Sequence, residues 1–253
     1  MPVHTLDDLT PALTSGPRPV ALAVIGHPVA HSFSPAMHNA ALNALDIDAR
    51  YIALEVEPGE VGTAFARMRD LGFIGCNVTV PHKFEARECG DAIDATARLL
   101  GVVNTITFSE HGIHGTNTDG YGFETAVREG LQLELKDARV LILGAGGGAG
   151  SAIAAHCARA GVARLVLANR TPAKLDPLIA RLRDFPTDIT PVASDHADLT
   201  ALAQSCDLIV NATSLGLKSD DPSPLPDACL QPHHKIFDSV YGKHRSSLIR
   251  AAE

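Results

Sequence analysis

Three observations predict a two-domain α/β protein. Short apolar runs alternate with amphipathic or alanine-rich stretches along nearly the whole chain, the pattern of strands and helices that stack as a mostly parallel sheet. Near the middle, Val140-Leu141-Ile142-Leu143 is apolar and rich in branched residues, and reads as a strand buried on both faces. It runs directly into Gly144-Ala145-Gly146-Gly147-Gly148-Ala149-Gly150 and then into the alanine-rich stretch 151–160, so strand, glycine turn and helix follow one another.

That succession is the context a dinucleotide fingerprint requires; an ordinary glycine-rich βα turn is the plainer reading. On the fingerprint reading Gly144 permits the tight turn, and Gly146 lets the backbone approach a pyrophosphate. Ala149 takes the third position, where a small residue lets the helix pack closely on the sheet. The pyrophosphate then rests on free N–H groups at the positive end of the helix, which brings in Ala145, Gly147 and Gly148.

The elements are expected in the following order. Residues 20–25 form a strand ended by Gly26-His27-Pro28. Ser34 caps a helix with Pro35 in its first position, running to about Leu45. Residues 49–56 alternate as a strand, 58–71 are helical, and 73–80 form a third strand with a helix starting at Pro81. Residues 91–100 are helical, 102–108 a strand, and 112–116 its hairpin partner or a short extension. Asp119 opens a connecting helix to about Glu129. After the fingerprint come strands at 164–168, 190–193, 207–211 and 235–240. Helices are expected after Thr171-Pro172, at 199–205 and from Ser246. This second half is a Rossmann-type domain. The domains divide as 1–120, an α/β substrate domain, and 121–253, the dinucleotide-binding domain, with ligands where the two meet.

Composition narrows the function. The chain has 253 residues, 45% hydrophobic and 20% charged, with a net charge of −8 and no long basic run. That argues against nucleic acid as a partner and leaves a small molecule. Five cysteines without a CxxC pair fit free thiols in a reducing, cytoplasmic setting. No secretory signal, transit peptide or membrane span is read. Twelve histidines appear without metal-ligand spacing, so they are expected to be solvated or hydrogen-bonded, with no metal.

Polar residues gather where a parallel sheet places its ligands, beyond the carboxyl ends of strands. Ser32 and Ser34 follow the first strand; Asn77, Thr79 and Lys83 straddle the end of the third. Asn104 interrupts an apolar run, and Thr116-Asn117-Thr118-Asp119 precedes the connecting helix. Ser34 and Asp119 also suit helix caps. Lys83 is the least expected by structure alone, because a cation in the first turn of a helix opposes the dipole. It calls for a carboxylate or an anionic ligand, and Asp119 is the candidate partner.

His31-Ser32-Phe33-Ser34-Pro35, Asn77-Val78-Thr79-Val80-Pro81-His82-Lys83, Val103-Asn104-Thr105, Asn117-Thr118-Asp119-Gly120 and Asn169-Arg170-Thr171 together resemble the signature motifs of shikimate dehydrogenases, in order over nearly the whole chain. The resemblance implies NADP-dependent interconversion of 3-dehydroshikimate and shikimate. It implies that Ser32 and Ser34 bind the substrate carboxylate, and that Lys83 and Asp119 form the catalytic pair. Thr79 and Asn104 then bind ring hydroxyls, and Tyr241 lies on the substrate side. Thr213 joins the cofactor-binding residues.

Cofactor choice can be read from the second strand of the nucleotide domain. No carboxylate ends it to repel a 2′-phosphate; Asn169-Arg170-Thr171 stands there instead, with Lys174 one turn further. Arg170 offers a planar fork for the phosphate. Family members continue beyond the Tyr241 region into a helical segment with a substrate-binding glutamine, whereas this sequence ends at Glu253, and Gln204 and Gln231 stand in another context. Two other readings therefore stay open: a quinate/shikimate dehydrogenase, and an NADP-binding protein of weakened activity. Two serines lean toward shikimate. A reductase of another substrate fits the serine pair poorly. The oligomeric state is expected to be monomer or homodimer.

Overall fold

The computed structural model describes residues 2–241 and 244–253 and forms two compact units, Met1–Thr118 and Asp119–Glu253. The first unit contains strands β1 (Val3–His4), β2 (Val20–Gly26), β3 (Arg50–Glu55), β4 (Gly75–Val78), β5 (Ala92–Ile93), β6 (Thr105–Ser109) and β7 (Gly112–Thr116). Its helices are α1 (Ser34–Ala44), α2 (Val61–Asp70), α3 (Lys83–Glu88) and α4 (Ala95–Leu100). The strands form one sheet in the order β1-β3-β2-β4-β6-β7-β5. The pairings of β1, β2, β3 and β4 are parallel, and β5 is parallel to β7, while β6 runs antiparallel to both of its neighbours. The antiparallel pair is a hairpin, the first of the two arrangements expected at 112–116. Its consequence is functional: the start of β6 lies at the carboxyl end of β4, so residues preceding β6 and following β4 converge.

One face of this sheet packs on α2. Ile25, Leu54, Val78 and Ile106 meet Ala64, Phe65 and Met68 in a single buried cluster. The apolar face of α2 recurs at helical spacing, which is why this short helix is held. The opposite face carries a smaller cluster, Val24, Val29, Tyr51 and Ala53, with Leu42 of α1 against it.

The second unit holds α5 (Asp119–Leu131), β8 (Arg139–Leu143), α6 (Gly148–Ala160), β9 (Arg164–Asn169), α7 (Asp176–Leu182), β10 (Asp188–Ala193), α8 (Leu199–Gln204), β11 (Leu208–Asn211), β12 (Lys235–Asp238) and α9 (Ser247–Ala252). Its five strands are all parallel, in the order β10-β9-β8-β11-β12. Leu141 and Leu143 share one cluster with Val166, Ile209, Leu199 of α8 and Leu248 of α9. The alternate residues Val140, Ile142, Leu165 and Leu167 are equally buried, so both faces are covered. That explains why β8 reads as an unbroken apolar run. α5 packs on α6 and reaches β12, where Phe123 meets Phe237 edge to face at 5.0 Å.

Several boundaries differ from the sequence reading. Strand β4 ends at Val78, and a turn closed by the His82 N–H on the Thr79 carbonyl (2.9 Å) delays the helix to Lys83 rather than Pro81. The helix expected at 91–100 is split. Residues 92–93 pair with β7, and Asp94 caps α4 by accepting from the Ala97 N–H at 2.5 Å. Asn104 precedes β6 instead of lying within a strand. Ser34 is the first residue of α1, not its cap. Thr171-Pro172 opens a 3-10 turn, Pro172–Leu175, before α7. The two-residue β1 had no visible sequence signal, because so short a strand has no period.

Among the described residues no helix is long and apolar enough to cross a membrane, and no group of three or more His, Cys, Asp or Glu could hold a metal ion. All five cysteines are free.

The second unit is tied at the amino end of its sheet by Arg139 and Asp207. The Arg139 guanidinium donates to both carboxylate oxygens, at 2.5 and 3.0 Å, and its backbone N–H donates at 2.8 Å. These bonds hold the Asp207 carboxyl below the usual carboxylate range. A lowered folded-state value means the contribution is present above the unfolded value and lost as pH falls through the folded one. Both groups face solvent, so it amounts to no more than ~1 kcal/mol. Urea midpoints measured from roughly pH 5 to pH 3 should fall less steeply for Asp207→Asn than for the unmodified protein; parallel curves would remove this pair from the acid response.

Candidate active site

In the first unit, the carboxyl ends of β2 and β4 and the start of β6 bring the predicted substrate residues to one edge of the sheet. Ser32 and Ser34 follow β2, Ser32 in the turn and Ser34 as the first residue of α1. The Ser32 hydroxyl accepts from the Ser34 N–H at 3.2 Å, and the Ser32 N–H donates to the Val29 carbonyl. Thr79 follows β4 and turns its methyl onto Gly26, where no Cβ stands in the way. Lys83 opens α3, half-buried, and its carbonyl accepts from the Val103 N–H at 3.0 Å. The preceding His82 is 1% exposed and reaches the Val56 carbonyl through Nε2 at 2.8 Å, pinning the start of α3 to the end of β3.

Behind these residues runs a chain of hydrogen bonds that the sequence did not reveal. Tyr51 donates to Asn77 Oδ1 at 2.7 Å. Asn77 Nδ2 donates to the Thr105 hydroxyl at 3.3 Å, and that hydroxyl donates to Asn104 Oδ1 at 2.8 Å. Asn104 Oδ1 also accepts from the Thr118 N–H at 3.0 Å, while its Nδ2 reaches the Thr118 hydroxyl. Burial pushes the Tyr51 hydroxyl well above its ordinary value, so it stays protonated and donates. Its ring stacks on His38 at 4.4 Å. Tyr51 sits in a strand whose burial alone accounts for an aromatic residue, which hid it. Asn104 is 8% exposed, and much of its amide serves this network.

In the second unit, Gly144 sits at φ +79, a left-handed conformation that the turn requires. Of the two other assigned positions, Gly146 also serves internal packing, and Ala149 does not carry the close contact. A Cβ on Gly146 would press on Asn169 and on Cβ of Lys174, at 3.1 and 3.0 Å, so this position makes room for side chains of the chain itself. The close approach of helix to strand occurs at Gly150 rather than Ala149. A Cβ there would overlap the Gly144 carbonyl oxygen, whereas Ala149 is only half-buried. Asn169 ties the turn together, accepting from the Gly146 N–H at 3.3 Å and donating to the Thr171 carbonyl at 2.8 Å. Thr213 packs its methyl over Gly144, while its hydroxyl donates to Asn211 Oδ1 at 2.7 Å. The structure therefore gathers Gly144–Ala149, Asn169, Lys174 and Thr213, with Arg170 and Thr171 exposed beside them. Asp119 is the first residue of α5, and Tyr241 is exposed after β12.

The turn suits a dinucleotide. The helix α6 starts at Gly148 with no side chain capping it, which leaves its first N–H groups for an anion. No carboxylate stands at the end of β9.

The comparisons with known proteins agree with this geometry. Residues 24–106 match the shikimate dehydrogenase substrate-binding domain, and residues 126–218 match the shikimate/quinate 5-dehydrogenase domain. The NADP(+) shikimate dehydrogenase of Rubrobacter xylanophilus is 40% identical over 236 residues, spanning 91% of this chain and 81% of the relative. The chain belongs to the shikimate dehydrogenase family. Two solved structures of shikimate dehydrogenases extend the likeness. The enzyme from Thermus thermophilus in complex with NADP(H) and shikimate has a TM-score of 0.80 at 33% identity, covering 92% of this chain and 83% of its own. The enzyme from Listeria monocytogenes in complex with shikimate and NAD has a TM-score of 0.81 at 29% identity, covering 92% and 83%.

The packing at Gly150 is testable. Gly150→Ala forces backbone apart, an overpacking that costs about 1–3 kcal/mol. It should lower the melting temperature by at least ~2 °C and weaken NADP binding in a fluorescence titration. Gly122→Ala, in α5 with nothing near its Cβ, is the control and should be neutral or stabilising. Equal melting temperatures for the two variants would place the close contact elsewhere.

Proposed function

We propose that this protein is an NADP-dependent shikimate dehydrogenase that interconverts 3-dehydroshikimate and shikimate. The observation that carries this is the coincidence of two things. The family match spans both halves of the chain, and the serine, threonine, lysine and asparagine motifs stand together at the carboxyl edge of the first sheet. Residues 1–120 bind the substrate and 121–253 bind NADP. The enzyme acts in the cytoplasm as a monomer or homodimer.

Bound NADPH supplies the hydride, as in other nicotinamide enzymes. The rest falls to the chain. Ser32 and Ser34 donate to the substrate carboxylate as neutral hydroxyls, and Thr79 and Asn104 bind ring hydroxyls. As the ketone is reduced, negative charge grows on its oxygen. Lys83 offsets that charge and delivers the proton there; Asp119 orients the hydroxyl and the ammonium. Placing Lys83 at the start of α3 opposes the helix dipole, and this supports a role toward an anion rather than toward the fold. Tyr241 lies on the substrate side. The backbone of Gly144, Ala145, Gly146, Gly147, Gly148 and Ala149 receives the pyrophosphate, with Asn169 and Thr213 shaping the turn. Arg170, Thr171 and Lys174 take the 2′-phosphate.

Steady-state rates test the lysine. Lys83→Ala should lower kcat by about 10²–10⁴-fold with a much smaller change in KM; a loss below roughly tenfold would remove Lys83 from the chemistry.

Cofactor preference tests the arginine. A hydrogen bond to a charged group is worth about 1.5–3 kcal/mol. The unmodified enzyme should therefore favour NADP over NAD by at least about tenfold in kcat/KM, and Arg170→Ala should erase most of that ratio while sparing activity with NAD. A variant that keeps its preference would overturn the assignment.

A further inference from the structure

The first turn of α5 rests on a histidine that the reaction does not use. His156 lies in the middle of α6 and is 2% exposed. A Cβ added to Gly120 would lie 2.7 Å from its Nδ1 and 2.8 Å from its Cγ. The glycine after Asp119 therefore lets α5 lie flat against the imidazole. Both ring nitrogens are engaged. Arg159 Nη2 stands 3.2 Å from Nδ1, and a guanidinium can only donate. Nδ1 is thus the acceptor, and the ring proton sits on Nε2, which donates to Glu124 Oε2 at 2.6 Å. Glu124 belongs to α5, five residues beyond Asp119. The imidazole is clamped between a carboxylate of one helix and a guanidinium of the other.

The two helices have separate tasks. α6 offers its N-terminal turn to the pyrophosphate, and α5 begins with Asp119. We infer that His156 is a positioning residue for Asp119. Through its contacts with Gly120 and Glu124 it sets where the first turn of α5 stands against α6, and so where the carboxylate stands relative to the cofactor. A plain core residue would fill the space against Gly120 equally well, but it could not grip Glu124. The inference rests on the reading of Asp119 as catalytic.

The test is the rate of NADPH formation in a single turnover with shikimate. A displacement of the carboxylate slows that rate constant, whereas mere loss of folded protein lowers only the amplitude. His156→Leu keeps the bulk and removes the hydrogen bond; its rate constant should fall by about tenfold, with KM for shikimate and NADP changed less than about threefold. His156→Gln, whose amide can donate as Nε2–H does, should return to within about threefold of the unmodified rate. Should the leucine variant not fold, Glu124→Ala breaks the same contact from a half-exposed position and must show the same loss. A leucine variant (or Glu124→Ala in its place) within about twofold of the unmodified rate, or a glutamine variant as slow as the leucine one, overturns the inference. Asp119→Asn separates the two readings. If it keeps the full rate, the catalytic assignment of Asp119 falls. If it is slow while His156→Leu is fast, only the positioning role falls.

Discussion

The nucleotide unit depends on the contact between α6 and β8 at Gly150. With no Cβ there, the helix settles directly on the turn, and the Gly144 carbonyl fills the place a side chain would need. Everything else in that unit is referred to this contact. The uncapped N–H groups of α6 face the carboxyl edge of the sheet because the helix starts this close to the strand. Asn169 and Thr213 reach the turn from β9 and from the loop after β11, and pack where Gly146 and Gly144 leave room. α5 then lies on α6, held by Phe123 on Phe237 and by the imidazole of His156. An edge-to-face aromatic pair adds about 0.5–1.5 kcal/mol beyond burial, so these contacts fix geometry more than they determine total stability.

In the substrate unit the corresponding constraint is polar. Tyr51, Asn77, Thr105, Asn104 and Thr118 form one connected series behind the sheet edge. A half-satisfied network in such a place is costly, and a complete one is rigid. It ends at Thr118, the last residue of the first unit. Asn104, proposed to bind the substrate, is itself oriented by this series. Neutral hydroxyls and amides suit a carboxylate and ring hydroxyls, since they select by direction without adding charge to a buried edge.

Histidine use follows the same logic. The expectation of hydrogen-bonded histidines describes His82 on the Val56 carbonyl, His233 on the Cys206 carbonyl and His156 on Glu124. Each joins elements distant in sequence. The cysteines are quiet by contrast: burial pushes the thiols of Cys76 and Cys157 far up and that of Cys206 to about 11, which disfavours the reactive thiolate.

The sequence by itself determined the alternation of strand and helix, the glycine turn and the grouping of polar motifs at strand ends. These rest on local rules: apolar period, turn chemistry, and the handful of residues a helix start accepts. Lys83 stood out because its position opposes a local field, that of the α3 dipole. The tertiary structure alone decided which small residue carries the close packing, since Ala149 and Gly150 are neighbours and only the seating of α6 shows that Gly150 faces the turn. It also decided that Asn104 precedes β6 and bonds Thr118, that Tyr51 serves Asn77, and that Gly120 meets His156. Those partners lie 14 residues apart for Asn104 with Thr118 and 26 for Tyr51 with Asn77. Their meeting is set by strand register and helix seating, which are settled only when the whole core packs and which no local pattern encodes.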